Sequence, residues 1–180
     1  MAIEVEKKYR VSRDDADRIR KLLREAGAAN HGESFEENTI YRGGKLDKIG
    51  GVLRIRRMDG KAVFTFKKRI EGQHEAKTQI EHETEVSNPN EIAEILDQLG
   101  FKKRLIYEKR RETWKFRGVE IVFDELPFGS FMEIEGSLTA ILEAEMLLDL
   151  EFLEAVHETY PRLTVQNGEE INGVFEARFD

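Results

Sequence analysis

The chain has 180 residues, carries a formal net charge of −7 and contains no cysteine. This length fits one domain, and the lack of cysteine excludes disulfides and thiolate metal sites. The acidic balance argues against nucleic-acid binding, and no stretch approaches the ~20 apolar residues of a membrane span. Because charged residues rather than an apolar leader follow Met1, we expect a cytoplasmic single domain over residues 1–180.

Hydrophobic periodicity predicts an antiparallel strand protein with a few helices. In chain order it predicts a strand at 3–11, a helix from Ser12 to Gly27, strands at 35–42, 51–58 and 62–69, a loop at 70–77, a strand at 78–86, a helix from Asn88 to Gly100, strands at 104–116, 119–125 and 130–136, and a helical region at 138–158 followed by a tail. Ser12 and Asn88 are N-cap residue types, and Asp59-Gly60 is a hairpin turn. Closing such a sheet into a barrel would remove its exposed edges.

Charged residues recur at every second position on several strands, so each set shares one face. These rows are Glu4, Glu6 and Lys8; Arg54 and Arg56; Lys67 and Arg69; Glu81, Glu83 and Glu85; Lys109 and Arg111; Glu120 and Asp124; and Glu133 and Glu135. A single row is best explained as the solvated side of a sheet. Several rows carry same-sign pairs, however, and such pairs repel one another when exposed side by side. Acidic pairs bind hard cations and basic pairs bind phosphate oxygens, so together the rows predict a site for a metal-bound polyphosphate.

Taken in order, these residues resemble the CYTH domain, the triphosphate tunnel metalloenzyme family. The matching segments are Glu4-x-Glu6-x-Lys8, Asn38 with Tyr41, Leu53-Arg54-Ile55-Arg56, Lys67, the glutamates 81, 83 and 85, Glu108-Lys109-Arg110-Arg111, Asp124-Glu125-Leu126-Pro127 and Glu133-Ile134-Glu135. The resemblance covers roughly residues 2–163. Arg42 departs from the family, which commonly has an aspartate there, and Thr159-Tyr160 only partly matches its Ser-Tyr, so the subfamily stays open.

The resemblance implies an α+β fold, in which a closed eight-stranded antiparallel β-barrel forms a charged tunnel flanked by helices. It also implies metal-dependent hydrolysis of a triphosphate with Mg²⁺ or Mn²⁺, most simply of inorganic tripolyphosphate, with thiamine and nucleoside triphosphates as other family substrates. One alternative is a class IV adenylate cyclase that converts ATP to cyclic AMP and pyrophosphate. A second alternative is a non-catalytic polyphosphate or nucleotide binder.

The resemblance also assigns roles to individual residues. The expected catalytic residues are Glu4, Glu6, Asp124, Glu133 and Glu135, the expected triphosphate contacts are Lys8, Arg54, Arg56, Lys67, Lys109 and Arg111, and the expected metal ligands are Glu4, Glu6, Glu83, Asp124, Glu133 and Glu135. The expected partner is a small-molecule triphosphate, without nucleic acid or membrane. The leucine- and glutamate-rich stretch 138–154 predicts an amphipathic helix that packs on the barrel or forms a dimer contact, so we expect a monomer or a homodimer.

Overall fold

The computed structural model describes residues 2–70 and 77–180, with side chains over residues 5–70 and 79–180. The elements follow in chain order as β1 (Ala2–Arg10), α1 (Arg13–Glu25), β2 (Ala29–Arg42), α2 (Lys45–Ile49), β3 (Gly51–Met58), β4 (Lys61–Arg69), β5 (Lys77–Glu85), α3 (Pro89–Gln98), β6 (Lys102–Phe116), β7 (Val119–Leu126), β8 (Gly129–Glu135), α4 (Leu138–Leu147), α5 (Tyr160–Asn167), β9 (Glu169–Ile171) and β10 (Val174–Ala177). The predicted loop at 70–77 lies almost entirely outside the described residues.

The first two predicted helix starts have the local hydrogen bonds that their sequences indicate. Ser12 and Asp15 form a capping box, in which each side chain accepts the other residue's backbone N–H at 3.1 Å. Asn88 accepts the N–H groups of Asn90 and Glu91, and Pro89 occupies the first position of α3. Both helices therefore begin at the predicted residues.

The strands form one sheet in the order β2-β3-β4-β5-β1-β8-β7-β6-β10-β9. All neighbours among the first eight strands are antiparallel, and β2 also pairs with β6 over most of its length. The sheet curls around a cavity, and helices flank its outer face. The predicted α+β class, the eight antiparallel strands and the flanking helices are thus confirmed.

The main apolar core lies on the outer face of the sheet. Ile19 and Leu23 of α1 and Ile141 of α4 are fully buried against side chains such as Trp114 and Ile121. Because the helices supply this core outside the sheet, the inner face need not be apolar. The architecture therefore leaves the inner face available for charged residues.

Strand β1 shows how period-two alternation divides the charges between the two faces. Glu6 and Lys8 line the cavity. Lys7 points to the other side, where its Nζ lies 3.0 Å from Glu145 of α4, and Tyr9 joins the outer core. Lys7 therefore lies outside the cavity, as the alternation predicts.

Several elements differ from the predictions. Helix α2 has only five residues, too few to show helical periodicity, and β2 begins at Ala29 rather than at residue 35. The predicted helical region 138–158 is wrong in part, because α4 ends at Leu147 and Asp149 adopts a left-handed backbone with φ of +52°. The expected tail forms α5 and the β9–β10 hairpin. None of the described helices is long and apolar enough to cross a membrane.

Candidate active site

The inner face of the sheet borders a cavity of about 970 Å³. The predicted site residues that line it are Glu6, Lys8, Arg54, Arg56, Lys67, Glu83, Lys109, Arg111, Glu133 and Glu135. Asp124 lies directly against them through its bonds to Arg111 and Lys109. The Glu4 side chain lies outside the described residues. Seven strands thus bring charges that are far apart in sequence to one cavity.

Asp124 is the central acceptor of the cavity wall. It is 1% exposed, and Arg111 donates to it in a bidentate manner, from Nε at 2.7 Å and from Nη2 at 2.6 Å. Lys109 Nζ lies 3.3 Å from the same carboxylate, and the hydroxyl of Tyr160 donates to it at 2.8 Å. Both oxygens of Asp124 are therefore engaged in orienting cations and a tyrosine.

Glu133 forms ion pairs with cations of two different strands, Arg111 of β6 and Lys8 of β1. Its carboxylate lies 2.7 Å from Arg111 Nη2 and 3.2 Å from Lys8 Nζ. Lys8 also donates to the carbonyl oxygen of Glu158 at 3.2 Å, and its Nζ lies 3.5 Å from the centre of the Tyr160 ring. Lys8 is consequently held from three sides, by a carboxylate, a carbonyl and an aromatic face.

Two residues of this site were not among the predicted ones. Glu36 is 1% exposed and accepts from Arg56 Nε at 3.2 Å and from Lys109 Nζ at 3.4 Å. It lies two residues before Asn38 on β2, so alternation could have placed it on the inner face. Tyr160 follows the irregular segment after α4, where no periodicity signals its position, although the partial match of Thr159-Tyr160 to the family's Ser-Tyr pointed to it.

Arg54 and Lys67 occupy the opposite wall of the cavity. Arg54 Nη2 lies 3.2 Å from Thr65 Oγ1 and 3.4 Å from Glu83 Oε2, and Lys67 Nζ lies 2.7 Å from Glu81. Arg54 Nε is buried and has no hydrogen-bond partner within the described ranges. A buried donor without an acceptor is costly, so this N–H suits an anionic oxygen supplied by a ligand.

The same-sign rows meet opposite charges across strands. Arg111 of β6 faces Asp124 of β7 in register, and Lys109 faces Glu36 of β2. The expected repulsion within each row is therefore offset by cross-strand ion pairs, which is a correction to the sequence-based expectation. The clearest balance is at the basic row of β6, because the register sets it between Glu36 of β2 and Asp124 of β7.

The buried charges perturb one another's protonation. Burial, followed by repulsion from Arg111, lowers the pKa of Lys109 to about 8, although Asp124 and Glu36 oppose the shift. Burial acts to raise the pKa of Glu36, but the charges of Lys109, Arg56 and Arg111 together outweigh it and hold that pKa well below its usual range. Glu36 therefore stays ionised at neutral pH, while Lys109 has a pKa of about 8 and is mostly charged there.

Carboxylates gather at one end of the cavity, where β8 ends and β7 begins. Glu135 is the register partner of Glu6 on β1 and of Glu120 on β7, and all three line the cavity. Within the described residues, no three acidic or histidine side chains converge into a metal site. Mg²⁺ commonly takes only one or two protein carboxylates together with substrate phosphates, so this donor set fits such an ion. We call these three glutamates the acidic end.

The comparison with known families agrees with this geometry. The sequence model of the CYTH domain matches residues 2–161. The chain belongs to the CYTH family. Members of the CYTH family are triphosphatases or adenylate cyclases, and they depend on a metal ion. The predicted family assignment is thereby confirmed.

Individual relatives extend over the whole chain. A Methanocaldococcus jannaschii protein provisionally named adenylate cyclase is 28% identical over 178 residues, which cover 96% of this chain and 99% of that protein. The PH1012 protein of Pyrococcus horikoshii has a TM-score of 0.77 at 25% identity, covering 89% of this chain and 98% of that one. A Hippeastrum protein provisionally named adenylyl cyclase, with a dominant triphosphatase activity, has a TM-score of 0.67 at 17% identity over 96% and 98% of the two chains. At that identity the Hippeastrum likeness concerns the fold alone.

Proposed function

We propose that this CYTH protein hydrolyses a triphosphate in a metal-dependent reaction, with inorganic tripolyphosphate as the preferred substrate. The observation that carries the proposal is the set of buried cations around the cavity, with Lys8, Lys109 and Arg111 held in place by carboxylates. Preformed cations suit a ligand with several negative oxygens, because they need no reorganisation when it binds. The acidic end supplies oxygen donors beside these cations.

We also propose that the eight strands enclose the substrate as a closed tunnel. The pairing of β2 with β6 supports this, because it gives each of the eight strands two neighbours. A closed eight-stranded barrel has an interior that holds one small ligand. A linear triphosphate has the elongated shape that such an interior accommodates.

The proposed roles of the cavity residues follow from their contacts. The residues that would contact phosphate oxygens are Lys8, Arg54, Arg56, Lys67, Lys109 and Arg111. Asp124, Glu133 and Glu83 would hold three of these cations in position, because their oxygens already lie against Arg111, Lys8 and Arg54. Phosphoanhydride cleavage needs no protein nucleophile, so positioning and charge stabilisation would supply most of the rate.

The metal would bind at the acidic end. Glu6 and Glu135 are its proposed ligands, together with Glu4, which the family resemblance adds. A bound Mg²⁺ or Mn²⁺ neutralises charge on phosphoryl oxygens and lowers the pKa of a coordinated water. The carboxylates of this chain would place that ion beside the phosphate chain that the cations hold.

An adenylate cyclase activity is the second candidate, and the Methanocaldococcus jannaschii relative favours it. In that reaction the ribose 3′-hydroxyl attacks the α-phosphorus of ATP, and pyrophosphate leaves. The same cations could hold the triphosphate in either reaction, with the order in which the phosphates enter deciding the outcome. We favour hydrolysis because no motif for adenine recognition is evident in the sequence.

A product assay tests the proposal directly. Tripolyphosphate, ATP and thiamine triphosphate are each offered with Mg²⁺ or Mn²⁺, and orthophosphate is separated from pyrophosphate and cyclic AMP. Orthophosphate release that is fastest with tripolyphosphate is the expected result. Cyclic AMP as the main product from ATP would instead support the cyclase, and tight binding without any product would support a binding protein.

The low pKa of Lys109 predicts that affinity depends on pH. Lys109 loses its charge as pH rises through about 8. If only the charged form binds, the affinity for tripolyphosphate falls about tenfold between about pH 7 and about pH 9. Lys109→Arg should flatten this dependence, because a guanidinium stays protonated over the range. Calorimetric Kd values for both proteins at each pH provide the measurement, and parallel pH profiles would contradict the role of Lys109.

A further inference from the structure

Resting on the proposed triphosphate site, we propose that the cavity continues into a second anion subsite, which binds phosphoryl groups beyond the third of a linear polyphosphate. This subsite consists of Arg69, Arg104 and Arg162, which we call the basic end. All three arginines line the same cavity as the triphosphate contacts. They lie where β4 ends, where β6 begins and where α5 begins.

The basic end lies across the cavity from Glu135 and Glu120 of the acidic end. Neighbouring strands are antiparallel, so the last residues of β2 and β4 lie beside the first residues of β3, β5 and β6. The last residue of β8 and the first residues of β7 lie at the other end, with Glu135 and Glu120. A phosphate chain held by the triphosphate contacts would therefore extend toward Arg104 and Arg162, away from the repelling carboxylates of the acidic end.

A β-bulge turns Arg104 into the cavity. The register of the β2–β6 pair shifts between Ile40, which faces Leu105, and Tyr41, which faces Lys103. Arg104 is therefore the extra residue of β6 at this bulge. Strict alternation would place Arg104 and Leu105 on opposite faces, yet both line the cavity. Bulges at barrel rims often redirect a side chain in this way.

The C-terminal segment supplies Arg162. Helix α5 begins after the N-cap Thr159 and packs against β6 and β10, and β10 runs parallel to β6 with Phe175 facing Leu105. The CYTH match ends at residue 161, so Arg162 and the hairpin that follows lie beyond it. Glu170 of this hairpin is an acidic residue that also lines the cavity.

The arginines of the basic end differ from the central cations in their pairing. Lys8, Lys109 and Arg111 each lie against a carboxylate. In the described part of the chain, neither Arg104 nor Arg162 has an ion-pair partner. An anion at the basic end would contact both guanidinium groups without displacing a carboxylate.

The cavity is also larger than a triphosphate requires. Its volume of about 970 Å³ lies near the top of the range of about 300–1,000 Å³ that buries drug-sized ligands. A triphosphate is smaller than such ligands, so space remains along the cavity for further groups. Linear tetrapolyphosphate is the smallest probe that would use this space.

The test compares the binding of tripolyphosphate and tetrapolyphosphate by calorimetry in EDTA, which prevents metal-dependent cleavage. The wild-type chain should bind tetrapolyphosphate about tenfold more tightly, the gain typical of one added charge-assisted contact. Arg104→Gln or Arg162→Gln should bring the ratio of the two Kd values toward one while leaving tripolyphosphate binding within about twofold. Both side chains are exposed, so the fold should tolerate these changes.

Arg110→Gln is the matched control, because Arg110 lies on the same strand and pairs with Glu125 outside the cavity. If the basic-end variants weaken the binding of tripolyphosphate and tetrapolyphosphate equally, the arginines act by general electrostatic attraction, and the proposal of a subsite is overturned. If the wild-type chain prefers ATP to tetrapolyphosphate and these variants abolish that preference, the space accommodates an organic group. That result would also overturn the phosphate subsite. If tripolyphosphate is hydrolysed but the fourth phosphate adds no affinity, the subsite fails while the proposed function stands. If the wild-type chain neither binds nor hydrolyses tripolyphosphate, the proposed function itself fails.

Discussion

Replacing Glu135 with glutamine should lower the metal-dependent turnover of tripolyphosphate by about 100-fold or more, because a bound metal supplies several kcal/mol of transition-state stabilisation. Glu135 is exposed at the end of β8, so the amide should leave the fold intact. The substitution removes one negative oxygen donor beside Glu6, its register partner. Steady-state rates at several Mg²⁺ concentrations and calorimetric titration of the metal provide the two measurements.

Glu125→Gln separates this effect from a general loss of negative charge. Glu125 is an exposed carboxylate on β7, pairs with Arg110 on the outer face, and does not belong to the acidic end. Its replacement should change neither turnover nor metal affinity. The metal assignment is wrong if Glu135→Gln retains the wild-type rate and the wild-type Kd for Mg²⁺.

Local periodicity was sufficient to predict which side chains share the inner face. Lys67, Lys109 and Glu133 all line the cavity, because alternation along a strand requires no knowledge of its neighbours. Likewise, the caps at Ser12 and Asn88 mark helix starts through bonds that span only three residues. Strand alternation and helix caps depend only on residues a few positions apart, so they can be predicted from the sequence.

The pairing of charges could not be predicted in the same way. Lys109 meets Glu36 only because β2 and β6 adopt one particular register, which the packing of the whole sheet determines. Arg104 reaches the cavity through a bulge that alternation excludes, and Tyr160 reaches Asp124 from a helix beyond an irregular segment. The acidic and basic rows were therefore visible in the sequence, but their mutual compensation was not.

Arg111→Met should lower the free energy of unfolding by about 3–5 kcal/mol, the usual cost of removing one partner from a buried ion pair. Arg111 is shared by Asp124 and Glu133, both of which are buried, so its loss leaves two carboxylates without their guanidinium. Urea denaturation at neutral pH measures the change. Arg110→Met removes the neighbouring exposed pair with Glu125 and should lower the free energy of unfolding by less than about 1 kcal/mol.

A double-mutant cycle shows whether the loss arises from the ion pair itself. Asp124→Asn in the Arg111→Met background removes the charge that the first substitution left unpaired, so the double variant should be more stable than the sum of the single changes by about 1–3 kcal/mol. Strict additivity would show that Arg111 stabilises the fold through packing and its pair with Glu133 rather than through its pair with Asp124. A measured coupling would show that the Arg111–Asp124 pair stabilises the sheet. The same pair holds the guanidinium in place in the cavity before substrate binds, so a phosphate oxygen would not have to order it.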